Sequence, residues 1–230
     1  MKEFFENSIF FGIILTLGAY LLGVVLKRRF NIFIFNPLLV AIAISISVLA
    51  ITGIEYSKYN SGASQISTLL TPATVCLAIP LYEQIQLLRK NATAILIGIA
   101  SGVLTSGVTI AAMSILFTLG HKEYVTLLPK SITTAIGIGL SQELDGYIAI
   151  TVAAIIITGL FGNIAGDILC NIFGIKHPVA KGIAIGTSTH VMGTSKAMEI
   201  GEIEGAMSSL SVAVAGCMTV GAAILLENIV

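Results

Sequence analysis

Gly186-Thr187-Ser188-Thr189-His190-Val191-Met192-Gly193-Thr194-Ser195-Lys196 is the stretch on which the fold turns. Hydroxyls, a histidine and a lysine stand where the surrounding sequence would lead one to expect hydrocarbon-facing residues. Lipid cannot satisfy free N–H and C=O groups, so irregular backbone at membrane depth survives only when buried in protein or lining a watery cavity. Such a segment marks a place where something polar binds or crosses. The competing reading is a polar loop outside the membrane, favoured by Glu199, Glu202 and Glu204 just downstream.

The rest of the chain supplies the membrane context. Charged residues make up 10% of the 230 residues, against about 25% in soluble domains, and the mean hydropathy is +0.98. The runs Phe4–Leu26, Pro37–Ile54, Ala92–Leu119, Tyr147–Phe173 and Ala206–Leu226 approach or exceed the ~20 residues that cross a bilayer. The sequence therefore predicts an all-α, polytopic integral membrane protein occupying 1–230, without a separate soluble domain. A formal net charge of zero gives no basic face for nucleic acid. The first run ends in Lys27-Arg28-Arg29 and lacks a small-residue cleavage site, which reads as a retained helix with a cytoplasmic C-terminal end. Cys76, Cys170 and Cys217 are isolated and apolar in context, so neither a disulfide nor a metal site is expected.

Two segments resist a simple helical reading. Ile66–Leu88 contains Pro72 and Pro80, and Val179–Ile200 contains Gly182, Gly186 and Gly193, so both are expected to be broken. Thr71, Val75 and Glu83 recur as Thr187, Val191 and Glu199, each 116 positions on. This parallel predicts two repeats, about 1–119 and about 120–230. If each broken segment re-enters, Lys27, Arg28, Arg29, Lys122, Lys130, Lys176, Lys181 and Lys196 fall on one face of the membrane. Lys2, Lys58, Arg89 and Lys90 then fall on the other, a bias consistent with the positive-inside rule. The resulting plan is two inverted repeats, each of about three transmembrane helices plus a re-entrant hairpin. It requires Leu127–Leu144 to serve as a short span, and it puts Arg89–Lys90 and Lys176–Lys181 on opposite faces.

Candidate binding residues cluster at the predicted breaks. Leu128-Pro129-Lys130-Ser131-Ile132-Thr133-Thr134 reads as a helix start, whose free donors, lysine and hydroxyls suit an anion. The competing reading is an interfacial lysine that snorkels. Thr71 and Thr74 flank Pro72 in the first break, where they either face a ligand or bond their own backbone. From the opening stretch, Thr187, Ser188, Thr189, His190, Thr194 and Lys196 join Lys130, Ser131 and Thr133 as expected substrate contacts. His190 and Asp167 are the expected coupling residues, because one titrates near neutral pH and the other is an acid at membrane depth. For each a structural role stands beside the functional one. Asn163, Asp167 and Asn171 share one helix face, and Gly98-x-x-x-Gly102 and Gly162-x-x-x-Gly166 signal close helix packing. No nucleophilic triad, phosphate loop, metal cage or dinucleotide fingerprint is present in the sequence, so neither an enzyme nor a cofactor is expected.

These segments resemble the bacterial LrgB/CidB family. The matching motifs are Asn36-Pro37-Leu38-Leu39, Thr71-Pro72-Ala73-Thr74-Val75 with Ala78-Ile79-Pro80-Leu81-Tyr82, and Leu128 to Thr134. The fourth runs from Gly186-Thr187-Ser188-Thr189-His190 through Gly193-Thr194-Ser195-Lys196-Ala197 to Gly201-Glu202 and Gly205-Ala206-Met207-Ser208. Ala135 departs from the proline that the family pattern places after the paired threonines. The resemblance implies a multi-pass protein of the bacterial plasma membrane. Its similarity to the plastid glycolate/glycerate translocator implies a secondary transporter of small carboxylates, of the pyruvate, lactate, acetate and glycolate class. The alternative it implies is an antiholin-like regulator of murein hydrolase activity and cell lysis, acting with a small LrgA/CidA-type membrane partner. Homo- or hetero-oligomeric assembly is expected on either reading. Transport is the expectation preferred here, because duplicated halves with polar breaks make sense around a solute.

Overall fold

With hydrocarbon on every side, a single chain can satisfy its own backbone groups only as helix or closed barrel, and the runs above carry helical lengths. The computed structural model describes residues 8–30, 35–69, 72, 75–76 and 78–230, and every regular element among them is helical. Thr71 and Thr74 lie outside the described residues. The chain forms two units, Met1–Cys76 and Leu77–Val230.

In the first unit α1 (Ile9–Phe30) packs against α2 (Pro37–Thr52) and α3 (Tyr56–Ser67). Asn36 starts α2 by accepting from the Leu38 amide at 2.9 Å, with Pro37 in the first turn. Gly53, at φ 61°, ends the helix by donating to the Leu49 carbonyl. Gly12 allows α3 to approach at Tyr59 and Ala63, and Thr16 meets the Tyr59 hydroxyl at 2.8 Å.

The second unit contains α4 (Ala78–Glu83), α5 (Ile85–Leu116), α6 (His121–Leu127), α7 (Thr134–Glu143), α8 (Ile148–Ile172), α9 (Pro178–Ile200) and α10 (Glu202–Leu226). Among the described residues, α1, α5, α8 and α10 are long and apolar enough to cross a membrane. Of the break expected over Ile66–Leu88, the described part shows α3 ending at Ser67 and α4 separated from α5 at Gln84 (φ −98°, ψ 18°).

α9 is not one helix but a hairpin. His190 sits at φ 46°, ψ −148° and reverses the chain. Gly186 lies against Ser208, and Thr194 reaches the same serine, Oγ1 to Oγ, at 2.8 Å. In a straight helix those two positions would be ~12 Å apart along the axis. One turn nearer the mouth, Gly182 abuts Glu204 while Met198 abuts Gly205. The arms 178–189 and 191–200 are therefore antiparallel, and both open at the end where α10 begins. The segment is broken, as expected, and folds as a hairpin.

Leu127–Leu144 behaves otherwise than expected. Lys122 Nζ lies 3.5 Å from Asp145 Oδ2, although a continuous helix between them would run ~35 Å. The Tyr147 amide donates to Thr126 Oγ1 at 2.8 Å, and Thr151 Oγ1 donates to the Thr126 carbonyl at 2.8 Å. α6 and α7 are thus the two arms of another hairpin, turning at 128–133, and the expected short span is corrected. Ten residues of α7 cover only ~15 Å, about half a bilayer core. Within 120–230 the chain has two helices long and apolar enough to cross a membrane, α8 and α10, and two hairpins, where three crossings and one hairpin were expected.

The hairpins enter from opposite ends of the unit. Gly98 faces Ile183 and Gly102 faces Thr187, so α5 runs parallel to the first arm of α9. Further along α5, Gly107 meets Leu226, the last residue of α10. Arg89, Lys90, Lys176 and Lys181 consequently share one end, and Lys122 lies at the other. The expectation that Arg89–Lys90 and Lys176–Lys181 face opposite sides is overturned. Apolar cores pack each end. Ile95, Ile99 and Val103 pack with Val179, Ile183 and Met207 at the lysine-bearing end. Ile110 and Ala111 pack with Tyr124, Leu128, Ile132 and Ala223 at the opposite end.

Two outcomes follow from this geometry. Single cysteines at Lys90 and Lys176 should react with an impermeant thiol reagent from the same membrane face, and one at Asp145 from the opposite face; labelling of Lys90 and Lys176 from different faces would refute the arrangement. Gly186→Val should destabilise the protein by about 1–3 kcal/mol, because the added carbons meet Ser208 backbone. A thermal melt in detergent reads this as a lowered Tm, and an unchanged melt would mean the arm does not pack on α10.

Candidate functional site

The hairpin tips meet halfway along α5. Ser131, at the first tip, has its hydroxyl 3.5 Å from that of Ser106 on α5. Thr187, in the second, packs onto Gly102 one turn earlier. Between them opens a cavity of about 720 Å³, within the range of small-molecule sites. It runs along α5 from Asn91 to Thr109, with Ser101, Thr105, Thr109 and Ser188 exposed along it, and its deep part is formed by Lys130, Ser131 and Thr187. Ile95, Gly98, Ala180, Ile183 and Ala184 supply an apolar wall.

Three features give the deep part its chemistry. The Lys130 ammonium donates to Ser131 Oγ at 2.8 Å, and among the described residues it has no carboxylate partner. A dehydrated cation without a counter-ion favours an anion beside it. Thr187 is 7% exposed, and its Oγ1 is buried without a hydrogen-bond partner. An orphaned buried hydroxyl is costly, and this one is shielded by the atoms around it rather than open to the cavity. Ser106 and Ser131 add hydroxyls on the same level, and Ser101, Thr105 and Thr109 continue the polar line along α5. Those last three also donate to carbonyls of their own helix, so their oxygens stay available as acceptors.

Of the residues expected from sequence, Lys130, Ser131, Thr187 and Ser188 come together at this cavity. The others point elsewhere. Thr133 precedes α7, with its carbonyl taken by the Gly137 amide at 2.8 Å. Thr189 donates to the Ile185 carbonyl at 2.6 Å and fills the space left by Gly162 and Gly193. His190 packs on Gly159 and places Nε2 3.0 Å from the Ile155 carbonyl. Thr194 joins the two arms to α10 through Ser208, and Lys196 pairs with Glu199 at 2.8 Å. Asp167 is ion-paired with Lys181 at 2.6 Å. Together with Asn171, which also accepts from Lys181, and Asn163, which donates to the Met192 carbonyl, it stitches α8 to the α9 hairpin. The polar face of α8 therefore meets protein rather than the cavity.

The lining residues on α5 were not singled out by the sequence reading, which treated Ala92–Leu119 as an apolar run. A signal was present. Ser101, Thr105 and Thr109 recur every four residues on one helix face, beginning beside Gly98 and Gly102. Asn91 and His177 carried no comparable pattern.

Comparisons with known proteins agree with the motif resemblance. The model of the LrgB-like family matches residues 16–229. Proteins named "Antiholin-like protein LrgB" from Bacillus mycoides (strain KBAB4), Bacillus cereus (strain B4264) and Bacillus anthracis (strain CDC 684 / NRRL 3495) are each 37% identical over 212 residues, covering 92% of this chain and 92% of theirs. No solved structure matches the chain. A family match across almost the whole length, four apolar helices and the ordered motifs identify the chain as a multi-pass membrane protein that belongs to the LrgB-like family.

Proposed function

We propose that this chain has the antiholin-like cellular role for which its relatives are named, and that its molecular activity is to bind and carry a small carboxylate. The two readings drawn from sequence are thereby ranked by different observations. The relatives' name favours the lysis-regulating one, originally the alternative, and no comparison names a transported solute. The observation that favours carriage is the cavity lined by two opposed hairpins, with an ammonium that has no carboxylate partner among the described residues.

The chemistry is that of a monoanion. Lys130 supplies one positive charge, and Ser131, Thr187 and Ser106 supply hydrogen-bond partners for a carboxylate and an adjacent oxo or hydroxyl group. Pyruvate, lactate, acetate and glycolate are the class this suits. Half-membrane hairpins from both ends bring the site to the midplane, the place where transporters with broken helices hold their solutes. The symmetry serving the mechanism lies, in this proposal, between two modules of opposite direction: hairpin α6–α7 with α8, and hairpin α9 with α10. The lysine-bearing end is the cytoplasmic one in the bacterial plasma membrane, by the positive-inside rule. Carboxylate flux across that membrane would alter lysis indirectly, with an LrgA/CidA-type small protein as the partner suggested by the family resemblance.

Proteoliposome uptake of labelled pyruvate, lactate, acetate and glycolate tests the activity. Lys130→Ala should reduce uptake roughly tenfold or more, the loss expected on removing a charged hydrogen bond. Thr187→Val should also reduce uptake yet leave Tm unchanged or raised, because it removes a hydroxyl that has no partner in the fold. Lys196→Ala should leave uptake intact, since Lys196 is engaged by Glu199 away from the cavity. Normal uptake in both the Lys130 and Thr187 variants would remove the site assignment. In cells, the Lys130 variant should lose its effect on murein hydrolase activity together with uptake. A variant that stops uptake but preserves the lysis effect would separate the two roles and leave only the antiholin-like one.

A further inference from the structure

The cavity along α5 is far larger than the small carboxylates considered so far. A carboxylate of about six heavy atoms fills at most about 180 Å³ if each atom is given the ~30 Å³ share of a liquid water. The cavity holds about 720 Å³. Its polar demand is concentrated at one place. In the deep part the Lys130 ammonium, without a carboxylate partner among the described residues, donates to Ser131 Oγ at 2.8 Å. Along the rest of its length the exposed hydroxyls of Ser101, Thr105, Thr109 and Ser188 each donate to a carbonyl of their own helix. They offer a ligand acceptors only, which a second carboxylate could not use. Facing them, Ile95, Ile183 and Ala184 present hydrocarbon. Gly98 leaves width there, since a Cβ on it would meet Ile183 alone, at 3.6 Å. Gly98 lies eight residues before Ser106, whose hydroxyl is level with that of Ser131, so the apolar stretch begins ~12 Å along the helix from the charged end. On the outward side of α5, Ile97, Leu104 and Val108 are exposed beside Ser101 and Thr105, on a helix long and apolar enough to cross a membrane. The open flank of the cavity therefore borders a lipid-facing surface of the second unit.

We infer that the site takes amphiphilic monocarboxylates, with the carboxylate at Lys130 and Ser131 and a single alkyl tail lying along Gly98 and Ile183. The inference deepens the carrier reading and rests on its assignment of Lys130 as the anion's partner. One ammonium offsets one negative charge, and the remaining walls reward hydrocarbon. Because the flank is open, a tail longer than the apolar wall is not blocked. It passes out beside Ser101 and Thr105 toward the acyl chains of the bilayer. Head and tail of the ligand thus match the two parts of the cavity, and burial of each tail methylene adds to the attraction of the charge.

The test is equilibrium dialysis of labelled octanoate against the full chain in lipid nanodiscs, with protein-free nanodiscs subtracted. Acetate, butanoate, hexanoate, octanoate and decanoate serve as competitors. Affinity should rise roughly two- to fourfold per methylene, the upper figure being the ~0.8 kcal/mol of a fully buried one. It should then level off rather than fall, because the flank is open. Lys130→Ala should weaken octanoate binding roughly tenfold or more. Gly98→Leu, whose Cβ makes only an ordinary contact, should cut the octanoate-to-acetate affinity ratio roughly tenfold or more, since its side chain takes the tail's space. Gly98→Ala should cut it less, and it tests the same wall should the leucine variant not fold. Octanol, which lacks the charge, and octyl phosphate, which carries about two at neutral pH, should each compete roughly tenfold less well than octanoate. Equal affinity for acetate and octanoate would overturn the tail assignment and leave the small-carboxylate site in place. Octanoate binding that survives both Lys130→Ala and Gly98→Leu would overturn it as well, by putting the tail on another surface. Stronger competition by octyl phosphate would overturn the carboxylate class. Binding of no carboxylate at all would remove the Lys130 site and this inference together. Tail-dependent binding without uptake into proteoliposomes would support the inference and refute carriage alone.

Discussion

A backbone reversal at membrane depth must be enclosed by protein, and the second unit is arranged around that requirement. At His190 the helix is interrupted, and the amides and carbonyls released there have no lipid partners. Enclosure takes three helices packed tightly around two thin arms. Gly98 and Gly102 on α5 lie against the first arm, and Gly159, Gly162 and Gly166 on α8 lie against the two arms and the turn. Gly182 and Gly186 open the first arm itself to α10. A Cβ at Gly102, Gly159, Gly162, Gly182 or Gly186 would collide with the facing element, whereas at Gly98 and Gly166 it would make ordinary contact. The hydrogen bonds from Asn163 to the Met192 carbonyl and from Lys181 to Asp167 then fix the hairpin lengthwise on α8.

Enclosing the reversal also creates the site. Once the α9 arms are buried from one end and the α6–α7 arms from the other, the tips stop short of each other near the middle of α5. The chain leaves there an ammonium and hydroxyls rather than apolar side chains. A purely structural meeting point would be expected to pair Lys130 with an acid and Thr187 with a carbonyl. Instead Asp167 is used on the far side of the hairpin for Lys181, and Glu199 for Lys196. The acids near the hairpin are committed to its scaffold, and Lys130 has no carboxylate partner among the described residues.

The polar stretch Gly186–Lys196, the membrane class and the break in α9 were readable because glycine and hydroxyl content contradict a simple span. The α6–α7 hairpin was missed for a physical reason. Leu127–Leu144 holds eighteen residues of mixed polarity, and hydropathy cannot distinguish a short crossing from two half-depth arms. What distinguishes them is tertiary pairing, Lys122 with Asp145 and Thr126 with Tyr147 and Thr151. That error carried into the charge count, since turning one crossing into a hairpin moves Arg89 and Lys90 to the same end as Lys176. In the site, residue type identified Thr187 and Lys130, but not which neighbours turn away. Thr189 is two residues from Thr187 and faces α8, whereas Thr187 faces α5. Both precede the break at His190, and two residues of helix turn by about 200°, so a helical reading of 178–189 separates them.

The central claim is that hairpins from opposite ends of the unit touch at their tips. Ser131 and Thr187 border the same void of about 10 Å³, so cysteines at those two positions should be joined by a short bifunctional thiol reagent in the intact membrane. The account predicts efficient joining of this pair and none between cysteines at Lys122 and Lys176, which lie at opposite ends. Failure to join Ser131→Cys with Thr187→Cys, in protein that is folded and reactive at each site singly, would contradict it.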